Sequence, residues 1–238
     1  MLFNGVDPRA VVPGIISIRS TVDDAMPSRS LKLVQLRRGA GYAGLTLGSR
    51  KIVVSINIGA RRRPQALEVS RKLVGWASAS TPCPLVLNHE PDKYYDAVCS
   101  DCSPKTLKNT FIVLDFTFTA PDPRAFELEE TQALLGIPFD VAGTAWATPV
   151  IIQTMNAEAR NPRYTLNGKQ YVELVGTFPA GSRVEIDHAA RVVRVNNLVR
   201  HDLLDYVHSR WFDLEAGRHT ITSSAAGDAT IRWHNAWL

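Results

Sequence analysis

Apolar and polar residues alternate with a period of two along most of this chain, which predicts strands. "GIISIRS" sets Ile16 and Ile18 against polar neighbours, and "LKLVQL" alternates Leu31, Leu33 and Gln35 against Lys32, Val34 and Leu36. "GLTLGSRKIVVSINI" holds two β-type runs, Leu45 to Leu47 and Ile52 to Ile58, joined through Gly48-Ser49. In the second run Val54, Ile56 and Ile58 share one face, and Ser55 and Asn57 take the other. After "PLVLNH" and "KYYDAVCS", the run "NTFIVLDFTFTAP" puts Ile112, Leu114, Phe116 and Phe118 on one side. Phe111, Val113, Asp115, Thr117 and Thr119 lie on the other, the signature of a sheet buried on one face.

One segment breaks this period. From about Arg63 to Ala77, the residues Ala66, Leu67, Ser70, Leu73, Val74 and Ala77 recur at spacings of three, four and seven, which predicts a helix. Pro64 suits its first turn, where a missing N–H costs nothing. Three consecutive arginines, Arg61, Arg62 and Arg63, sit at the positive end of this helix dipole, where cations are locally unfavourable. They are expected to be solvated or to pair with acids on another element or chain.

The segment "APDPRAFELEETQALLGIPFDVAGTAWATP" interrupts the strands with four prolines, two glycines and a cluster of acids. It reads as a linker over residues 124–145, with a short helical turn near Glu127 to Leu135. From about Trp146 the strands resume as "PVIIQTM", "QYVELVG", "RVEIDHAARVVRVNN", "HTITSS" and "DATIRWHNAW". The middle one is a hairpin, with Val184 and Ile186 before an Asp187–Ala190 turn and Val193 and Val195 after it. Strands so short and evenly spaced predict a β-sandwich. The expected organisation is an N-terminal β domain over 1–123 with its one helix, the linker, and a C-terminal sandwich over 146–238.

At 238 residues, 45% hydrophobic and 21% charged, the composition is that of a soluble globular protein. The start "MLFNGVDPRAVVPG" has no basic segment followed by an apolar one, so no secretory signal is expected. Three cysteines, an odd number, argue against a disulfide framework and for synthesis in a reducing compartment. The net charge of +4 is spread out except at the three arginines, so nucleic-acid binding is not expected.

Candidate chemistry changes this picture little. "GAGYAG", residues 39–44, matches the dinucleotide template G-x-G-x-x-G, but Gly44 opens onto Leu-Thr-Leu-Gly rather than a helix. The acid wanted about 20 residues on is replaced by the arginine run. The match carries no nucleotide site, and its glycines read as a loose loop between strands. Cys83, His89, Cys99 and Cys102 can be grouped as a zinc set, yet one C-x-x-C supplies only two ligands. Cys99 sits in an alternating run where a free thiol acts as a small apolar residue. Neither G-x-S-x-G nor H-E-x-x-H occurs, and the acid–His neighbours (His89-Glu90, Asp187-His188, His201-Asp202) point to opposite strand faces. No catalytic, cofactor or metal site is expected, and the protein reads as structural or binding.

Three landmarks in order carry a resemblance. They are the helix ending in "LVGWASAS" followed by a strand and "EPDKYYDAV", then "FTFTAPDPRAF", then "SRWFDLEAGRHTITSSAAGDATIRWHNAWL". Together they resemble the distal tail protein (Dit) family of long-tailed, siphovirus-type bacteriophages, over essentially the whole chain. The resemblance implies a mainly β protein: an N-terminal β-rich domain with one α-helix, plus a C-terminal galectin-like β-sandwich.

It also implies a structural role at the tail tip of the virion, after synthesis in the host bacterial cytoplasm. The family assembles as a homo-hexameric ring between the tail tube protein and the tail-associated hub protein, with receptor-binding proteins at the outer domains. No membrane or cofactor is implied. The 31–58 strands would belong to the ring-forming part. Arg61, Arg62 and Arg63 are candidate subunit-interface residues, complementary to the acids at 127–130. The hairpin at 183–195 and "LVRHDLLDYVHS" are particular to this chain, whose length fits the compact form without inserted carbohydrate-binding modules. The alternative is a lectin-like module recognising host-surface carbohydrate, with Trp211, Trp233 and Trp237 as a stacking platform, although Trp233 is in register with core residues. An enzyme acting on cell-wall polymer is the third class, and no site supports it.

Overall fold

The alternating run at 52–58 becomes the centre of a sheet. A computed structural model describes residues 1–22, 29–35, 40–59, 63–107 and 111–238. Two units divide them, Met1–Ala125 with Leu238, and Phe126–Trp237. In the first, the elements run β1 (Leu2–Phe3), α1 (Pro8–Val11), β2 (Ile15–Val22), β3 (Arg29–Gln35), β4 (Ala40–Leu47), β5 (Arg50–Gly59), α2 (Arg63–Ala77), β6 (Cys83–Leu87), β7 (Glu90–Leu107) and β8 (Phe111–Ala120). The main sheet follows the order β1-β6-β7-β8-β5-β2, and these pairs are antiparallel.

Register explains its core. Ile52, Val54 and Ile56 of β5 stand opposite Phe118, Phe116 and Leu114 of β8, and all six are buried. Onto this face α2 lays Ala66, Leu73 and Ala77. Trp76 anchors the helix: its ring lies 5.7 Å from Phe3 and 6.1 Å from Phe116, both near edge-on, and its indole N–H donates to the Val6 carbonyl at 3.0 Å. The apolar stripe of α2 is narrower than its spacing suggests, because Leu67 and Val74 are exposed. The short α1 has no periodic signal; Asp7 caps it by accepting from the Arg9 N–H, and Pro8 fills the first turn.

The expected loose loop at "GAGYAG" is instead part of strand β4, apart from Gly39, which lies outside the described residues. β3 and β4 pair with each other as a two-stranded ribbon, with the register slipping opposite Lys32 and Leu33. The slip is a bulge next to Gly44, whose φ of +144° is a conformation that side chains resist.

In the second unit a six-stranded antiparallel sheet orders Thr131–Leu134, Gly227–Trp233, Val150–Met155, Arg183–Asp187, Val192–Val195 and Leu198–Val199. A second sheet holds Gln170–Glu173, Arg163–Leu166 and Ile221–Ser223. Ile151, Val184, Ile186 and Ile231 from the first sheet and Tyr164, Leu166, Val172 and Ile221 from the second share one buried cluster. That is the sandwich expected. Buried Gln153 ties its layers: its amide donates to the Ala225 carbonyl at 3.0 Å and its oxygen accepts from Ser223 Oγ at 2.7 Å.

The proline-rich stretch differs from its reading as a linker with a helical turn. It carries strands at Ala125–Glu127, Thr131–Leu134 and Phe139–Val141, and from Phe126 onward it belongs to the C-terminal unit. Asn235 explains part of this. Its Oδ1 accepts from the Ala142 N–H at 3.0 Å and from Trp233 Nε1 at 2.9 Å, while its amide donates to Glu127 Oε2 at 2.7 Å. Such long-range pairing overrides local proline and glycine content.

Candidate functional surfaces

The least covered element is the β3–β4 ribbon. Every described side chain of β3 is exposed, with Leu31 at 62% and Leu33 at 61%. Leu31 faces Leu45 across the ribbon, so these three leucines form an apolar face with nothing described packed on it. A two-stranded ribbon is marginal by itself in water and gains stability only by burying such a face. Of the arginines proposed for a subunit interface, Arg61 and Arg62 lie outside the described residues. Arg63 opens α2, and its side chain is likewise not described. The acids offered as their complement are partly engaged: Glu127 holds Asn235, and Glu130 pairs with Arg232 at 3.5 Å.

The thiols do not assemble a ligand set. Cys83 lies on β6, and His89 follows it with Nδ1 3.2 Å from Ser20 Oγ. A bulge between Cys99 and Asp101 turns Cys99 and Cys102 to the Phe118 and Phe116 side of β7. Both are free thiols, and burial raises both above their ordinary range; in Cys99, the adjacent Cys102 adds to that push. They are therefore poor nucleophiles. Among the described residues no three His, Cys, Asp or Glu side chains are placed to share a metal ion. No helix among them is long and apolar enough to cross a membrane.

In the C-terminal unit the three tryptophans offered as a platform have different environments. Trp233 is core, 4.9 Å from the Phe139 ring, as its register implied. Trp237 is half-buried on Ala236–Trp237. Trp211 borders an open groove of about 440 Å³, together with Asn167, Lys169, Asp213, Glu215 and His219. Behind Trp211 lies His188, edge to face at 5.4 Å. The imidazole of His188 is buried, its Nδ1 accepts from the Phe212 N–H at 3.2 Å, and burial pushes its pKa down to about 3. Asp187–His188 is thus no dyad.

A further feature escaped the sequence. Asp205 accepts from the Val207 and His208 N–H groups and bonds His208 Nδ1 at 2.8 Å, holding a tight turn that leaves Tyr206 and Val207 exposed at 66% and 73%. An Asx-type turn of this kind is announced only by an Asp followed by ordinary residues, a signal too common to single out.

The two units define a class by their fold: a sheet-plus-helix unit followed by a β-sandwich. Comparison with known proteins narrows it. Residues 15–119 match the phage tail protein RIFT-related domain, and residues 142–237 match the siphovirus-type tail component, C-terminal domain. No curated protein matches the sequence.

Among solved structures, the Dit protein of phage SPP1, described as a paradigm of the hub adsorption apparatus in phages infecting Gram-positive bacteria, is similar with a TM-score of 0.80. Identity is 15%, over 100% of this chain and 98% of that one. A chain of the phage P2 baseplate, in its activated conformation with calcium, gives a TM-score of 0.51 and 8% identity over 92% and 90%. The chain belongs to the Dit family of siphovirus-type tail components. It is a structural protein of the phage tail, and its place is the tail of the virion.

Proposed function

We propose that this protein forms a homo-hexameric ring at the tail tip, joining the tail tube protein to the tail-associated hub protein and carrying receptor-binding proteins at its periphery. It is synthesised in the host bacterial cytoplasm, acts without catalysis and needs no cofactor. The observation that carries the ring is the β3–β4 ribbon, whose Leu31, Leu33 and Leu45 face is exposed in the single chain. A ring closes by heterologous contacts, in which one surface of a subunit meets a different surface of the next. An exposed apolar ribbon is suited to lie on a neighbour, and exposed Leu67 and Val74 on α2 offer a surface of matching character.

Negative-stain images and light scattering of the purified chain test this. Rings of six are expected, and Leu31→Lys with Leu33→Lys should disperse them while the circular dichroism spectrum stays unchanged. Rings that persist in that double variant would sink the ribbon's role. Arg61, Arg62 and Arg63 are proposed as a rim that supplements this contact, and a triple charge reversal leaving rings intact at moderate salt would remove them from the interface. A second reading, recognition of host-surface carbohydrate by the C-terminal unit, is favoured by the open groove beside Trp211.

A further inference from the structure

The groove beside Trp211 combines an apolar floor with a polar rim held in place before any ligand arrives. Leu166 and Phe212 are buried beneath it, and the half-buried indole of Trp211 forms one edge. Its volume of about 440 Å³ falls within the range of small-ligand sites.

One side of the rim is locked by a chain of hydrogen bonds. The Thr220 N–H donates to Asn167 Oδ1 at 2.9 Å, which fixes the amide so that its Nδ2 donates to His219 Nδ1 at 3.0 Å. The opposite ring nitrogen, Nε2, then donates to the Glu215 carbonyl at 2.7 Å. Both ring nitrogens are thereby engaged, which fixes the orientation of the His219 ring. Asn167 itself sits in the left-handed region, φ 49°, where asparagine is among the few side chains tolerated. Across the groove, Asp213 Oδ1 accepts from Thr148 Oγ1 at 2.9 Å, leaving its second oxygen for a ligand. The Lys169 ammonium and the Glu215 carboxylate make no hydrogen bond or ion pair with a described residue, and both residues are exposed.

The charges around this rim are one ammonium against two carboxylates. That balance disfavours phosphate-bearing and other anionic ligands. Donors and acceptors stand side by side, which suits groups that both donate and accept, as hydroxyls do. The flat apolar face of an indole complements the C–H face of a sugar ring.

We propose that this groove binds a neutral saccharide of the host surface, its ring stacked on Trp211 and its hydroxyls hydrogen-bonded by Asp213, Glu215 and Lys169. The inference rests on the carbohydrate reading of the C-terminal unit and is independent of ring assembly. Asn167 and His219 are positioning residues, which shape the rim without spending ligand-binding entropy. A single small site of this openness binds weakly, with Kd on the order of 1 mM, and presentation in several copies would raise avidity on a surface.

The experiment titrates the full chain with neutral oligosaccharides built on glucose, galactose, rhamnose and N-acetylglucosamine, and separately with a glycerol-phosphate polymer as the anionic probe. Calorimetry reads binding, and light scattering on the same samples reads oligomeric state. Saturable binding of at least one neutral sugar is expected, weakened about tenfold or more by Trp211→Ala, less by Trp211→Phe, and about threefold by Glu215→Gln. Circular dichroism melts check that the variants fold; should Trp211→Ala fail to fold, Trp211→Phe and Glu215→Gln carry the test. Absence of saturation by every neutral sugar overturns the proposal, as does binding indifferent to Trp211 and Glu215, or preference for the anionic polymer. Loss of rings with sugar binding retained would sink the ring and leave the groove standing.

Discussion

His188 makes the folding of this protein sensitive to mild acid, and the size of the effect follows from its surroundings. Its ring is buried, tilted against Phe212 at 4.0 Å and edge-on to Trp211, with Nδ1 taking the Phe212 N–H and Nε2 unpartnered. Burial holds its pKa at about 3 against an ordinary 6.5. Between those values the unfolded chain binds a proton that the native chain refuses. Stability is therefore full above the unfolded value and lost as pH falls, by ~1.4 kcal/mol per pH unit. From pH 7 to pH 5 the loss is about 2 kcal/mol.

His188→Asn removes the titration, while its Oδ1 stands where Nδ1 did and still accepts from Phe212. The smaller side chain leaves a cavity costing roughly 1–3 kcal/mol at every pH. Urea unfolding of both full-length proteins at pH 7, 6 and 5 isolates the term, because every other titrating group is common to both. At pH 7 the variant is weaker. By pH 5 the gap should have closed by about 2 kcal/mol. Parallel pH profiles would refute the reasoning, as would an imidazole resonance of His188 that shifts between pH 7 and 5.

Two other predictions rest on local geometry. Gly227 has φ +153°, and a Cβ there would lie 2.0 Å from the Thr154 carbonyl oxygen on the paired strand. Gly227→Ala should cost about 3 kcal/mol or more, read as a lowered urea midpoint, and a change under 1 kcal/mol would refute the clash. Burial together with the adjacent Cys102 pushes the Cys99 thiol up to about 11. Iodoacetamide at pH 8 should therefore alkylate Cys99 at least about tenfold more slowly in the native protein than in urea, followed by peptide mass spectrometry; equal rates would contradict it.

Both long-period signals were legible without coordinates. Residues 52–58 and 111–119 alternate cleanly because a sheet buried on one face imposes period two, and α2 was bounded by Pro64 and its apolar spacing. The hairpin of Arg183–Asp187 with Val192–Val195 was equally plain. What misled was the stretch after Pro121. Its strands are three or four residues long, held by Asn235, a residue about a hundred positions away, and no local pattern encodes such a partner. The exposed leucines of β3 were also unreadable, since alternation predicts a buried face whether or not the same chain covers it.

Chain order and residue chemistry by themselves determined a mainly β protein with one long helix and a sandwich at its C-terminal end. The register already placed Trp233 in the core, but only the tertiary structure decided that Trp211 borders an open groove. It alone turned "GAGYAG" from a loop into one strand of an uncovered ribbon. It alone set Asn167, His219 and Glu215 in one hydrogen-bonded line across fifty residues of chain. Local periodicity reports a side chain's face; its neighbours depend on strand order and register, which are settled by contacts distant in sequence.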